Sequence, residues 1–171
     1  MSFFIRYATK EDAVLIAEIS QQTFYETFAA YNTQEDMNKF LNEQFTKGKL
    51  MLEVGTPENI FMLAYQDGLV AGYVKLRDHR IPPSLNSKNA IEIARIYAMK
   101  RMIGKGIGSK LMEASIDEAR KKNKEVVWLG VWEKNQRAID FYIKWGFEKF
   151  DETDFILGDD VQRDWLMKKK L

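Results

Sequence analysis

The sequence has no cysteine, which excludes disulfides, cysteine nucleophiles and thiolate metal sites. Its only histidine is His79, so a histidine-rich metal centre is excluded as well and no metal ion is expected. Long apolar runs are missing: none approaches the ~18 residues that cross a bilayer. The opening Met1-Ser-Phe-Phe-Ile-Arg-Tyr-Ala lacks a basic segment followed by an apolar one, so no signal peptide is read there and a cytoplasmic location is expected. Nor is there an excess of one charge. With 26 basic and 25 acidic residues the formal net charge is +1, and nothing general draws the chain to nucleic acid or to a membrane. Any anion must be held by a local feature. Linkers, repeats and low-complexity segments are absent, which predicts one domain over residues 1–171.

What is present suits a well-packed core, since 46% of the 171 residues are hydrophobic and 13% aromatic. Phe3 to Tyr7 reads as a strand, and Thr9-Lys-Glu-Asp12 as the capped start of a helix that carries Leu15, Ile16 and Ile19 and runs on toward Phe24 and Phe28. Thr33-Gln-Glu-Asp36 opens a second helix, with Met37, Phe40, Leu41 and Phe45 on one side. Ile60–Tyr65 and Leu69–Leu76 are strands joined by the hairpin turn Asp67-Gly68. A loop holds Pro82-Pro83, a strand covers Ala90–Ala98, a helix about Gly106–Lys122, and a buried strand Val126–Trp132. Asn135 caps a helix ended by Gly146, and Phe147–Phe155 and Arg163–Lys168 form a closing hairpin around Gly158-Asp159-Asp160. The order βααβββαβαββ predicts a mixed sheet with helices on its faces, and a right-handed parallel crossover from Ala90 to Trp132.

The most specific local signal is Arg101-Met-Ile-Gly104-Lys105-Gly106-Ile107-Gly108-Ser109. Glycines at alternate positions let the backbone curl so that its N–H groups converge, and a helix begins at once, with its positive end adding to the same field. Arg101 and Lys105 add mobile positive charge. The spacing does not supply the nucleotide-triphosphate loop, which needs four residues between its glycines. It is also one residue short of the dinucleotide fingerprint. The plain alternative is a surface turn leading into a helix.

The wider sequence favours a binding loop. Arg101-x-x-Gly104-x-Gly106 resembles the acetyl-CoA pyrophosphate motif of the GCN5-related N-acetyltransferase (GNAT) family. Glu92-Ile-Ala-Arg-Ile-Tyr-Ala98 resembles that family's fourth strand, and Asn135-x-x-Ala138-x-x-Phe141-Tyr142-x-Lys144-x-Gly146-Phe147 its late helix. The resemblance covers nearly the whole chain. It implies an α/β fold with a mixed, mostly antiparallel sheet of about seven strands, four helices and a splayed parallel strand pair. A narrower resemblance to the PaiA-type spermidine/spermine N-acetyltransferases rests on Gly72-Tyr-Val-Lys75, Trp128-Leu-Gly-Val-Trp-Glu-Lys-Asn135, the Gly158–Gln162 hairpin and the early Thr23-Phe24 and Thr27-Phe28 pairs.

These resemblances imply direct acetyl transfer from acetyl-CoA to a small-molecule amine, with a polyamine as the leading acceptor. The alternatives are a protein N-terminus, a lysine or a xenobiotic amine, or a non-catalytic acetyl-CoA-binding regulator. A homodimer is one assembly the resemblance allows. Cofactor contacts are expected from the backbone of Ile96, Tyr97 and Ala98, the loop Arg101, Gly104, Lys105, Gly106, Ile107, Gly108 and Ser109, and from Asn135 and Lys144. The Ala98 N–H is the expected oxyanion donor. Tyr142 is the candidate general acid, since a phenol is protonated at neutral pH; its helical spacing with Phe141 and Trp145 also suits plain core packing. Asn135 reads equally as an N-cap. Glu92 is the candidate base, with alternation placing it opposite Ile91, Ile93, Arg95 and Tyr97; binding the cationic amine or pairing with a Lys or Arg are its other roles. Tyr25, Glu26 and Tyr31 are candidate contacts for the amine.

Overall fold

The computed structural model describes residues 2–171. Seven strands form one sheet: β1 (Phe3–Tyr7), β2 (Asn59–Gln66), β3 (Leu69–Arg77), β4 (Ala90–Ala98), β5 (Val126–Trp132), β6 (Glu148–Leu157) and β7 (Asp160–Lys170). Their order is β1-β2-β3-β4-β5-β7-β6. Every neighbouring pair is antiparallel except β4 and β5, which run parallel. The β2–β3 hairpin turns through Asp67 (φ 51°) and Gly68 (φ 81°), the left-handed pair that matches the twist of adjacent strands.

The helices are α1 (Ala13–Phe28), α2 (Gln34–Lys39), α3 (Lys47–Val54), α4 (Ile107–Lys121) and α5 (Gln136–Lys144). The sequence leads to four, and α3 is the addition. Leu50 is its only buried residue and Gly48 sits in its first turn, so its apolar periodicity is too thin to read. Its start is set by Thr46, whose hydroxyl accepts from the Lys49 N–H at 3.3 Å. The helix expected through Phe45 is also not uniform: α2 passes into a π-helical turn over Phe40–Gln44.

The sheet separates the helices into two layers. A side chain at Gly72 would point at Leu111 of α4, so by alternation Val74 and Leu76 face α4 as well. The intervening Lys75 pairs instead with Glu53 of α3 at 3.2 Å. Arg95, its partner in register, reaches Ser20 of α1 and Glu53. α1 and α3 therefore cover one face and α4 the other. α5 lies beside α4, with the Phe141 ring 3.6 Å from the place a Gly108 Cβ would occupy.

The main core joins both faces through buried Leu63, Tyr73, Ile91, Leu111, Met112, Leu129 and Ile139. Each such apolar side chain removed from water contributes about 1.5–3 kcal/mol. A second cluster of Phe24, Phe28, Met37, Phe40, Trp132 and Leu157 ties α1 and α2 to the far half of the sheet.

One irregularity shapes the middle of the sheet. Lys75 pairs with Arg95, but Leu76 pairs with Ile93, so Ala94 is an extra residue in β4. This bulge coincides with the end of the β4–β5 ladder, whose last pair is Ile93 with Leu129. Bulges bend a strand and interrupt its pairing. Beyond Ile93 the two parallel strands part, and the splayed pair expected from sequence is formed.

Candidate active site

The gap between β4 and β5 opens into a cleft of about 660 Å³. Its walls are the ends of these strands, α5 on one side, and α1 with the turn after it on the other. Ile96, Tyr97 and Ala98 line it from β4, and Gly130, Val131 and Trp132 from β5. The backbone of β4 faces the opening. The Met99 N–H donates to the Ala71 C=O across β3 at 2.8 Å, so the Ala98 N–H, one residue earlier, points to the opposite edge, where β5 has left.

Tyr142 is buried and lines the cleft from α5. Burial pushes its phenol well above the usual value, which keeps the hydroxyl protonated at neutral pH. Asn135 also lines the cleft, and its side-chain oxygen caps α5 by accepting from the Ala138 N–H at 3.3 Å. Lys144 is exposed and does not line the cleft.

The glycine loop lies at the rim, exposed apart from buried Met102 and Ile107 and half-buried Gly108. Gly104 (φ 89°) and Gly106 (φ 77°) hold left-handed backbone, and nothing stands within 4 Å of where a Cβ would be at either. The first backbone bond of α4 runs from the Lys110 N–H to the Gly106 C=O. The N–H groups of Ile107, Gly108 and Ser109 precede it and are left for an outside acceptor. The Arg101 side chain folds back to the Val70 C=O at 2.8 Å, while Lys105 is exposed. Open space, free donors and a helix N-terminus together fit a pyrophosphate.

Glu92 does not stand in this cleft. Its carboxylate is buried and held at both oxygens by Arg77, at 2.7 and 3.0 Å. Its place along β4 explains this: Glu92 is in register with Trp128, inside the β4–β5 ladder and short of the gap that opens beyond Ile93. The bulge at Ala94 also reverses the alternation of β4, so Glu92 shares a face with Arg95 instead of opposing it. The expected role as base is corrected accordingly: Glu92 is one half of an ion pair.

Of the candidate acceptor contacts, Glu26 and Tyr31 line the cleft and Tyr25 does not. Tyr31 meets the Trp132 ring edge-on at 5.7 Å, and Phe28 lies 5.5 Å from the same ring. The Glu26 Oε1 atom is shielded from solvent and receives no hydrogen bond from a described residue. Two charged residues that sequence reasoning missed also reach this wall. Arg95 lies over the Phe45 ring and is held by Glu53. Asp164 of β7, opposite Trp132 in register, has its carboxyl pushed up to about 6 by burial, with Glu133 adding to the shift. A signal for Asp164 was present: alternation through Gln162, Asp164 and Leu166 puts a carboxylate on the side of a buried leucine.

Comparison with known proteins decides the family. The family model described as Acetyltransferase (GNAT) family matches residues 15–147. The chain belongs to the GNAT family. It is 40% identical over 163 residues to an uncharacterized N-acetyltransferase encoded 3′ of pepI in Lactobacillus delbrueckii subsp. lactis, covering 95% of this chain and 94% of that one. A spermidine N(1)-acetyltransferase of Thermoplasma acidophilum is 26% identical over 92% of this chain and 96% of its own. The crystal structure of the PaiA N-acetyltransferase from Thermoplasma acidophilum in complex with coenzyme A superposes with a TM-score of 0.78 at 25% identity, over 100% of both chains. The GNAT chain described here is thus an N-acetyltransferase that uses acetyl-CoA as cosubstrate.

Proposed function

We propose that this GNAT enzyme acetylates a primary amine of a polyamine such as spermidine or spermine. The observation that carries the substrate class is the acceptor wall of the cleft. There the unpartnered Oε1 of Glu26 sits with Tyr31 and Trp132. A carboxylate beside aromatic faces suits an alkylammonium ion, which gains from the charge and from the rings. The likeness to a spermidine N(1)-acetyltransferase supports the same class.

In this reading the α4 N-terminus and the loop from Arg101 to Ser109 hold the pyrophosphate, and the exposed backbone of β4 orients the thioester arm. The Ala98 N–H stabilises the oxyanion that forms as the amine adds to the thioester carbonyl. Tyr142 gives its proton to the departing sulfur. Glu26 holds an ammonium of the acceptor, and Tyr31 closes over its alkyl chain.

The test is thiol release from acetyl-CoA with spermidine, spermine, butylamine, free amino acids and lysyl peptides. Spermidine and spermine are expected to give the highest kcat/KM, and Glu26→Gln to raise KM for spermidine about tenfold or more while leaving KM for acetyl-CoA unchanged. Turnover confined to peptides or amino acids would reject the polyamine reading and leave the acetyl transfer itself intact.

A further inference from the structure

With Glu92 engaged by Arg77, the cleft needs another proton acceptor. We propose that Asp164 is that group, taking the proton from the incoming ammonium on the acceptor side of the gap. The assignment depends on transfer to an amine and not on which amine is used.

Gly130 is the first residue of β5 beyond the last β4–β5 pair, so it marks the mouth of the gap. The Asp164 Oδ2 atom lies 3.7 Å from where a Gly130 Cβ would stand. The absence of that side chain keeps the carboxylate open to the cleft. Gly130 and Trp132 lie on the same face of β5, and Trp132 packs on Phe28 of α1. The carboxylate is therefore on the α1 side, across the sheet from α4 and its phosphate-binding end.

Among the described residues lining the cleft, the carboxylates are Glu26 and Asp164. Glu53 is committed to Lys75 and Arg95. No described side chain donates to Asp164. On its own strand Arg163 points to the other face, where Glu152 and Asp154 bind it. The remaining titratable and charged groups around the cleft are Glu133 just after β5, Tyr97 and Arg95 of β4, Lys100 just after it, Tyr142 and Arg137 of α5, Glu26 of α1 and Tyr31 in the turn that follows. Burial and Glu133 raise its proton affinity to about 6, making it a better acceptor than a solvated carboxylate yet ionised at neutral pH.

The protons balance. The ammonium gives one proton to the Asp164 carboxylate and becomes a neutral amine. Its lone pair forms the C–N bond to the thioester carbonyl, and the C–S bond breaks. The second proton shed by nitrogen ends on sulfur through the Tyr142 hydroxyl. Asp164 then returns its proton to water, so one proton is released per acetyl group transferred.

Asp164→Asn is expected to lower kcat about a hundredfold with KM for acetyl-CoA unchanged, and to abolish an acidic limb near pH 6 in kcat/KM. Glu133→Gln, which leaves Asp164 in place, is expected to move that limb to lower pH. Spermidine is the acceptor used first, with butylamine, lysine and a lysyl peptide as substitutes, so rejection of polyamines does not end the test. Carboxyl carbon NMR of the protein without acceptor supplies a readout independent of turnover, in which a resonance titrating near pH 6 is absent from Asp164→Asn. Activity within threefold of wild type, a retained acidic limb, a rise in amine KM at unchanged kcat, or no such resonance would each overturn the assignment.

Discussion

Tyr142 and Asp164 stand on opposite sides of the splayed strands, and burial acts on them in opposite chemical senses. It holds the phenol as a donor, and it makes the carboxyl a stronger acceptor. Tyr142→Phe is expected to reduce kcat about a hundredfold with little change in acetyl-CoA affinity, measured by thiol release and by calorimetric titration with coenzyme A. Asp164 also has a stability signature. Its folded-state value of about 6 lies above the ordinary 3.8, so the folded chain resists its ionisation. That cost is absent below about pH 3, where the group is protonated in both states, grows as pH rises, and is complete above about pH 7. Asp164→Asn should therefore stabilise the protein at pH 8 by ~1–2 kcal/mol, after allowance for partial exposure, and by nothing at about pH 3. Thermal midpoints at the two pH values check it. Lys75 is a parallel case, its ammonium pushed down to about 8 by burial, with Arg95 adding to the shift. Tyr142 and Asn135 were legible in the sequence because a helix repeats without interruption from its cap. The place of Glu92 was not legible in the same way: its position inside the β4–β5 ladder and its pairing with Arg77 depend on register between strands, and the Ala94 bulge that reverses its face leaves no mark in composition.

At the scale of elements, the decisive contact is that of β3 with β4. A Cβ at Gly72 would lie 2.5 Å from the Tyr97 carbonyl oxygen and 3.2 Å from the Ala98 Cα. Gly72→Ala must push aside the backbone that faces the cleft. We expect a loss of ~1–3 kcal/mol of stability together with weaker coenzyme A binding, seen by denaturant unfolding and calorimetry. Gly106→Asp tests the loop in a complementary way. Space for the side chain is open, but the φ of 77° and the added negative charge both oppose it, so coenzyme A affinity should fall at least tenfold with the fold intact by circular dichroism. The strands, the α4 loop and α5 could be read in advance because turn residues and apolar periods bound them. α3 could not, since its place is fixed by Glu53 reaching Lys75 and Arg95, contacts made across the chain.

At the scale of the molecule, the sheet divides the cleft into two sides, bordered by α4 and α5 on one and by α1 with its following turn on the other, and in the proposed reading these take acetyl-CoA and the acceptor in turn. The β6–β7 hairpin fastens the second side. Gly158 (φ 63°) packs its backbone onto Asp36 of α2, where a Cβ would meet the Asp36 Cα at 2.7 Å, and Asp159 pairs with Lys39 at 2.5 Å. The arrangement also has a consequence for synthesis. β7 lies between β5 and β6 yet follows both along the chain. A nascent chain on the ribosome therefore carries β5 with a bare edge, an open row of backbone donors and acceptors that invites other strands. That edge is covered only when β7 has emerged, and the same strand delivers Asp164. A chain halted before Asp160 is then both prone to aggregate and short of a carboxylate in the cleft, so the protein cannot acquire a complete acceptor site before its sheet is closed.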